Sequence, residues 1–251
     1  MGFFSSLFGN NNGNSNQQRN YSSNGAHYTV TYDPPEQHAR ILVDSLRLLE
    51  STTNPDTYFS RYKLAGNEAC HISDYRGVVW NGMNAAQIER MLREESSMNM
   101  LHRKFIDRLF AEGKEDRLTF QMYEVGGYMT KSTLAYFKQK LGGKKYHFCK
   151  IRFNDMSNKL YTYVTKDKSV TIGDTVTIPT GNGYVPESKV MQVVEVFDGS
   201  LDELGFPIEN LRCVERKLKS IVCPHCGASI QINTSEKLGK CTKCQSEFYF
   251  I

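Results

Sequence analysis

The stretch Cys223-Pro224-His225-Cys226-Gly227, with a second pair in Cys241-Thr242-Lys243-Cys244 and 14 residues between Cys226 and Cys241, decides how the end of this chain folds. A two-residue spacing inside each pair lets both sulfurs reach one ion, and two such turns complete a tetrahedral site. Pro224 stiffens the first turn, and Gly227 supplies the positive φ that a tight turn needs after its second ligand. The implied cofactor is one structural zinc ion held by Cys223, Cys226, Cys241 and Cys244. Iron is the alternative, because both metals accept a tetrahedral sulfur cage. Four protein sulfurs leave no open position for water or substrate, so chemistry at the ion is not expected.

Working back from the cysteines, residues 143–218 read as strands. The runs 146–153, 160–165, 175–178, 189–197 and 211–218 alternate with turn-rich pieces, and five short strands over this length suit a small SH3-like or OB-like β-barrel. Gly142-Gly143 marks the change of period from 3.6 to 2. Before it, residues 28–142 read as a helical domain. Asp33-Pro34-Pro35-Glu36 and Asn54-Pro55 are helix starts, with Ile41, Leu42, Ser45, Leu48 and Leu49 on one stripe and Tyr58, Phe59 and Tyr62 on another. Asn84 caps a long third helix carrying Ile88 through Leu109 and ending at Gly113. Shorter helices are expected at 116–124 and 131–141. The fold class is therefore α+β and multidomain: a helical bundle, a small barrel, and a metal-clamped end at 219–251.

Residues 1–27 differ in kind. From Gly9 to Gly25 the composition is almost wholly Asn, Ser, Gly and Gln, which buries too little surface to fold, so a disordered tether is expected. Its tip, Phe3, Phe4, Leu7 and Phe8, puts four apolar groups on one side of a short helix. That tip suits docking on a partner or weak peripheral contact with a membrane surface, although it carries no basic residue to favour anionic lipid.

The 251 residues include seven cysteines, and the odd total argues against a fully paired disulfide framework. No segment reads as a secretory signal or a membrane span, and a cytoplasmic location is expected. The formal net charge is +4, and four thiolates with one divalent cation bring it to about +2, too little to specify nucleic acid. The clustering is more telling. Lys138, Lys140, Lys144, Lys145, Lys150 and Arg152 form a basic run, interleaved with aromatic residues. Lys144, Lys145, Lys150, Arg152, Tyr161 and Tyr163 are thus candidate nucleic-acid contacts, with aromatic faces for bases and cations for phosphates. The plainer alternative is that strands favour aromatics and lysines protect sheet edges.

Residues 219–251 resemble the zinc-ribbon superfamily, with the rubredoxin-type knuckle Cys-Pro-x-Cys-Gly at 223–227. Gln245 departs from it, standing where many ribbons have glycine. More faintly, Leu160 to Val164, then Val170-Thr171-Ile172-Gly173-Asp174-Thr175-Val176-Thr177-Ile178-Pro179, then Val190 to Val196, is similar to the DNA-end-binding barrel of primosomal replication helicases. The resemblances imply a structural ion and a binding module. No phosphate-cradling glycine loop, nucleophile elbow or His-Glu-x-x-His is present, and no enzyme activity is expected. The functional expectation is an adaptor or scaffold engaging another protein, with a nucleic-acid-binding accessory factor as the alternative.

Overall fold

Asparagines with free side-chain oxygens start two of the helices. In a computed structural model that describes residues 20–23, 26–29, 34–77, 79–153, 159–180, 187–233 and 238–249, Asn54 accepts from Thr57 N at 3.1 Å, and Asn84 forms a full capping box with Gln87. The side chains of 20–29 and of Asn233, the apolar tip at Phe3, Phe4, Leu7 and Phe8, and most of the expected tether lie outside the described residues.

The described chain runs through β1 Asn20–Ser23, β2 Ala26–Thr29, α1 Pro35–Ser51, α2 Pro55–His71, α3 Ala85–Arg93, α4 Glu95–Ala111, α5 Glu115–Phe120, α6 Met122–Val125 and α7 Lys131–Leu141. It continues with β3 Lys145–Ile151, β4 Tyr161–Thr165, β5 Thr175–Pro179, β6 Ser188–Ser200, β7 Arg212–Cys213, β8 Arg216–Val222, β9 Ser229–Asn233, β10 Leu238–Lys240 and β11 Glu247–Tyr249. The class is α+β. Strands β1 and β2 pair antiparallel, and β1 lies inside the stretch whose composition suggested no structure. The Asn24-Gly25 dipeptide between them is a hairpin signal that a composition count averages away.

The chain divides into two units. One holds the residues up to Arg117 together with Tyr128–Thr133, and the other holds Leu118–Gly127 and everything from Leu134 onward. In the first, the expected long third helix is broken. Glu94 is extended, with ψ 124°, and its carboxylate takes the Ser96 hydroxyl at 2.9 Å. No apolar residue falls between Leu92 and Met98 to hold a continuous face, so the polar run is free to break the helix. The core here is aromatic. Tyr58 stacks on Phe105 at 4.0 Å, Phe59 meets Tyr58 edge-on at 5.0 Å, and Ile88, Leu92, Ile106 and Leu109 close round them.

His102 sits inside this core, with Nδ1 3.1 Å from the Tyr58 hydroxyl and Nε2 without a hydrogen-bond partner. Burial pushes its pKa down to about 4, and the backbone of Tyr128 offsets this only in part. The imidazole is therefore neutral at pH 7.

In the second unit the strands form one sheet ordered β7-β4-β3-β6-β5-β8-β9, antiparallel except for β4 with β7. The long β6 pairs with β3 through Val193 to Ser200 and with β5 through Ser188 to Gln192. The expected final strand is split into β7 and β8, and the residues at the split do not idle. Val214 N donates to Val164 O at 2.8 Å and Glu215 N to Thr177 O at 2.9 Å, so one segment links β4 on one side to β5 on the other. Hydrogen bonds thus run in a ring through β4, β3, β6, β5 and residues 212–218, round an interior of Cys149, Ile151, Tyr163, Val170, Val176, Ile178, Val193 and Val214. The opposite face at β3 is also buried: Phe148 stacks on Phe197 at 5.1 Å, and Tyr146 accepts a hydrogen bond from the Thr119 hydroxyl of α5.

Because His102 is neutral in the fold but free to protonate when unfolded, its contribution is complete above the ordinary value near 6.5 and is withdrawn as pH falls toward about 4. The loss amounts to about 3 kcal/mol at most. Urea unfolding followed at Trp80, the one tryptophan of the chain, should show falling midpoints from pH 7 to pH 4.5, and His102→Gln should flatten that slope. An equally steep slope in the variant would assign the effect to another group.

Candidate metal centre

Two hairpins carry the four cysteines. Strand β8 enters the first turn and β9 leaves it, while β10 and β11 flank the second. The two turns repeat one pattern of backbone bonds. Cys223 N donates to Ala228 O at 2.8 Å and Gly227 N to Cys223 O at 2.9 Å; in the other turn Cys241 N donates to Ser246 O at 2.9 Å and Gln245 N to Cys241 O at 2.9 Å. The residue after each second cysteine is left-handed, with φ 71° at Gly227 and 63° at Gln245. Glycine takes this conformation freely, whereas Gln245 must bear a Cβ there, and its side-chain amide donates to Thr242 O at 3.1 Å.

This geometry brings the four Sγ atoms of Cys223, Cys226, Cys241 and Cys244 within 4.8 Å of one another. Cys223 and Cys244 are 3.7 Å apart, and Cys226 and Cys241 3.6 Å. A tetrahedral zinc with bonds of about 2.3 Å requires sulfur edges of about 3.8 Å, so the cluster fits such an ion with little adjustment. Cys223 and Cys241 are buried, while Cys226 and Cys244 are exposed. Ile230, Ile232 and Phe248, with Ile221 and Ala228 beside them, complete a core too small to hold itself together.

The thiols are not equivalent. The Ser246 hydroxyl and backbone hold Cys244 down to about 6, and the Cys244 amide lowers Cys241. The Ala228 backbone lowers Cys226 too, but desolvation and the neighbouring sulfurs outweigh it and push that thiol up to about 11. Sulfurs packed this closely cannot all ionise without a cation among them. His225 is exposed on the first turn and is not part of the cluster.

The candidate nucleic-acid residues are dispersed. Lys145 and Arg152 are exposed at the two ends of β3. Lys144 lies over the Tyr146 ring at 5.8 Å, and Lys150 pairs with Glu195 at 2.7 Å while covering Phe197. Lys138 pairs with Asp202 at 2.8 Å, so acids distant in sequence neutralise part of the basic run. Tyr161 is 40% exposed, with Lys159 at 4.9 Å over its ring and Phe153 edge-on at 5.0 Å. Tyr163 is a correction. It is only 4% exposed, because it faces the interior beside Cys149 and Val214, and it offers no face to a base. In the helical unit the His71 ring lies 5.4 Å from that of His38, and burial and Glu89 push the Cys70 thiol up.

Compared with protein-family models, with curated proteins and with solved structures, the chain matches none.

Purified protein should carry one equivalent of tetrahedral metal, and Cys226→Ser with Cys244→Ser should lose it; retention by the double variant would show that the ion lies elsewhere. Gly227→Ala places a Cβ where no atom lies within 4 Å, so its cost is that of the backbone alone, about 1 kcal/mol. Chelator competition should show the metal held more weakly in Gly227→Ala, and unchanged retention would remove the role given to that left-handed residue.

Proposed function

We propose that the chain is a zinc-ribbon protein of the cytoplasm, joined to a small SH3-like or OB-like barrel, that acts as a non-enzymatic adaptor or scaffold by holding another protein. The observation that carries this is the closed sulfur set. Four cysteines that converge to the edge length of a tetrahedral ion leave it no open coordination position, which supports a structural metal rather than a reacting one. Soft thiolates suit zinc, and all seven cysteines are free, in keeping with a reducing compartment. The hydrogen-bonded ring through residues 212–218 supports the barrel reading.

What the ion holds in place is then the functional surface. Leu238 and Tyr249 are directly opposed across β10 and β11, and Tyr249 is 83% exposed, with Val222 also exposed at the end of β8. Apolar groups fixed on a metal-bound hairpin, with their order set by the ion, suit a protein partner: an aromatic anchor contributes more to an interface than scattered charge. A second reading rests on Arg152, Phe153, Lys159 and Tyr161, where exposed aromatic faces and cations adjoin as single-stranded nucleic acid would require.

A photo-crosslinking residue at Tyr249 in cells should give protein adducts that vanish when Cys226→Ser and Cys244→Ser remove the ion. The same residue at Tyr161 should give none to nucleic acid. Metal-independent adducts at Tyr249 would reject the adaptor reading, and oligonucleotide binding by the full chain that weakens steeply with salt would favour the second.

A further inference from the structure

The helical unit contains a cleft that neither the metal centre nor the sheet uses. Its volume is about 420 Å³, at the lower end of the range for small-molecule sites. Its back wall is apolar, with Leu46, Leu49, Tyr58 and Met91. Its outer wall is built by a two-residue turn. Asn81 and Gly82 both have positive φ, at 47° and 80°, and Trp80 pairs with Met83 across them, Met83 N donating to Trp80 O at 2.7 Å. Residues paired directly across such a turn share one face, so the turn sets Trp80 and Met83 side by side against the cleft.

The third wall belongs to α4 and is cationic. Met100, Lys104 and Arg108 recur every four residues and line the cleft together. Arg108 Nη2 donates to Leu49 O at 2.9 Å, but its buried Nε and Nη1 have no acceptor, and among the described residues Arg108 forms no ion pair. Lys104 likewise has no carboxylate partner among them. The neighbouring acid Glu112 is engaged by Lys114 at 2.6 Å, and Glu50 also lines the cleft but is an exposed residue. Two like charges one helical turn apart, one half-buried beside an apolar wall, destabilise the empty unit and favour an anion.

We propose that this cleft binds a small amphipathic anion, with its apolar body between Trp80, Met83 and Met91 and its carboxylate at Lys104 and Arg108. The three methionines Met83, Met91 and Met100 suit an aliphatic body of variable shape, since unbranched thioether chains repack at little cost. The charge match distinguishes the site from a generic apolar slot, which would accept a neutral analogue equally well.

Trp80 is the one tryptophan in the chain, so its emission reports on this cleft alone. Titration of the full-length protein with dodecanoate, below its micelle concentration, should give a saturable change in emission with dodecanol binding about tenfold more weakly. Lys104→Glu alters an exposed side chain and should leave the fold intact, as read by an unchanged urea midpoint. It should weaken dodecanoate about tenfold and leave dodecanol as before. Equal binding of acid and alcohol, no saturable change, or dodecanoate binding unaltered by Lys104→Glu would each overturn the proposal. So would competition-proof binding of an acidic amphipathic peptide in place of the small anion, which would make the cleft a protein groove.

Discussion

A single run of backbone, residues 212–222, carries the connectivity of the second unit. Its amides and carbonyls serve three neighbours in turn: β4 through Arg212 to Val214, β5 through Glu215 to Leu218, and β9 through Leu218 to Val222. A buried backbone amide without a partner costs about as much as a lost hydrogen bond, so each of these pairings constrains the others. The segment then delivers its last residue directly to Cys223. Ring and metal turn are therefore set by one strand, and the position of the first sulfur depends on the register of the sheet.

That coupling gives the small cysteine-bearing end a mechanical anchor. Two hairpins with only a handful of buried apolar groups cannot hold a fixed shape by burial alone. The β8 and β9 hairpin continues the sheet, so one side is fixed by ladder hydrogen bonds. The β10 and β11 hairpin pairs only with itself among the described residues, and its attachment runs through the sulfurs and the Phe248 contact. A metal ion held by the four sulfurs would fasten one hairpin to another that the fold already supports.

What could be read from the sequence followed the range of the interaction. Asn54, Asn84 and the two cysteine pairs act on residues a few positions away, so their spacing carried the answer. The break at Glu94 is also local, but the helical period on both sides of it masks the polar run from Arg93 to Ser97. The split of the last strand was not legible, because it depends on Val164 and Thr177, tens of residues distant. Tyr161 and Tyr163 share a face by alternation, yet one sits at the rim and the other in the interior, a difference that only closure of the sheet creates. The charges of Lys138 and Lys150 were offset for the same reason, by Asp202 and Glu195 from distant segments. The cationic cleft was invisible to motif reading, since its walls come from four helices and a turn that no short pattern joins.

The alternation of buried and exposed sulfurs gives the metal centre an inside and an outside. Each contact pair joins one solvent-facing thiol to one sheltered thiol of the other turn: Cys244 to Cys223, and Cys226 to Cys241. An oxidant or a competing chelator would meet the exposed Cys226 and Cys244 before the buried Cys223 and Cys241. A metal ion at this site would therefore face solvent through one sulfur of each turn and the protein interior through the other.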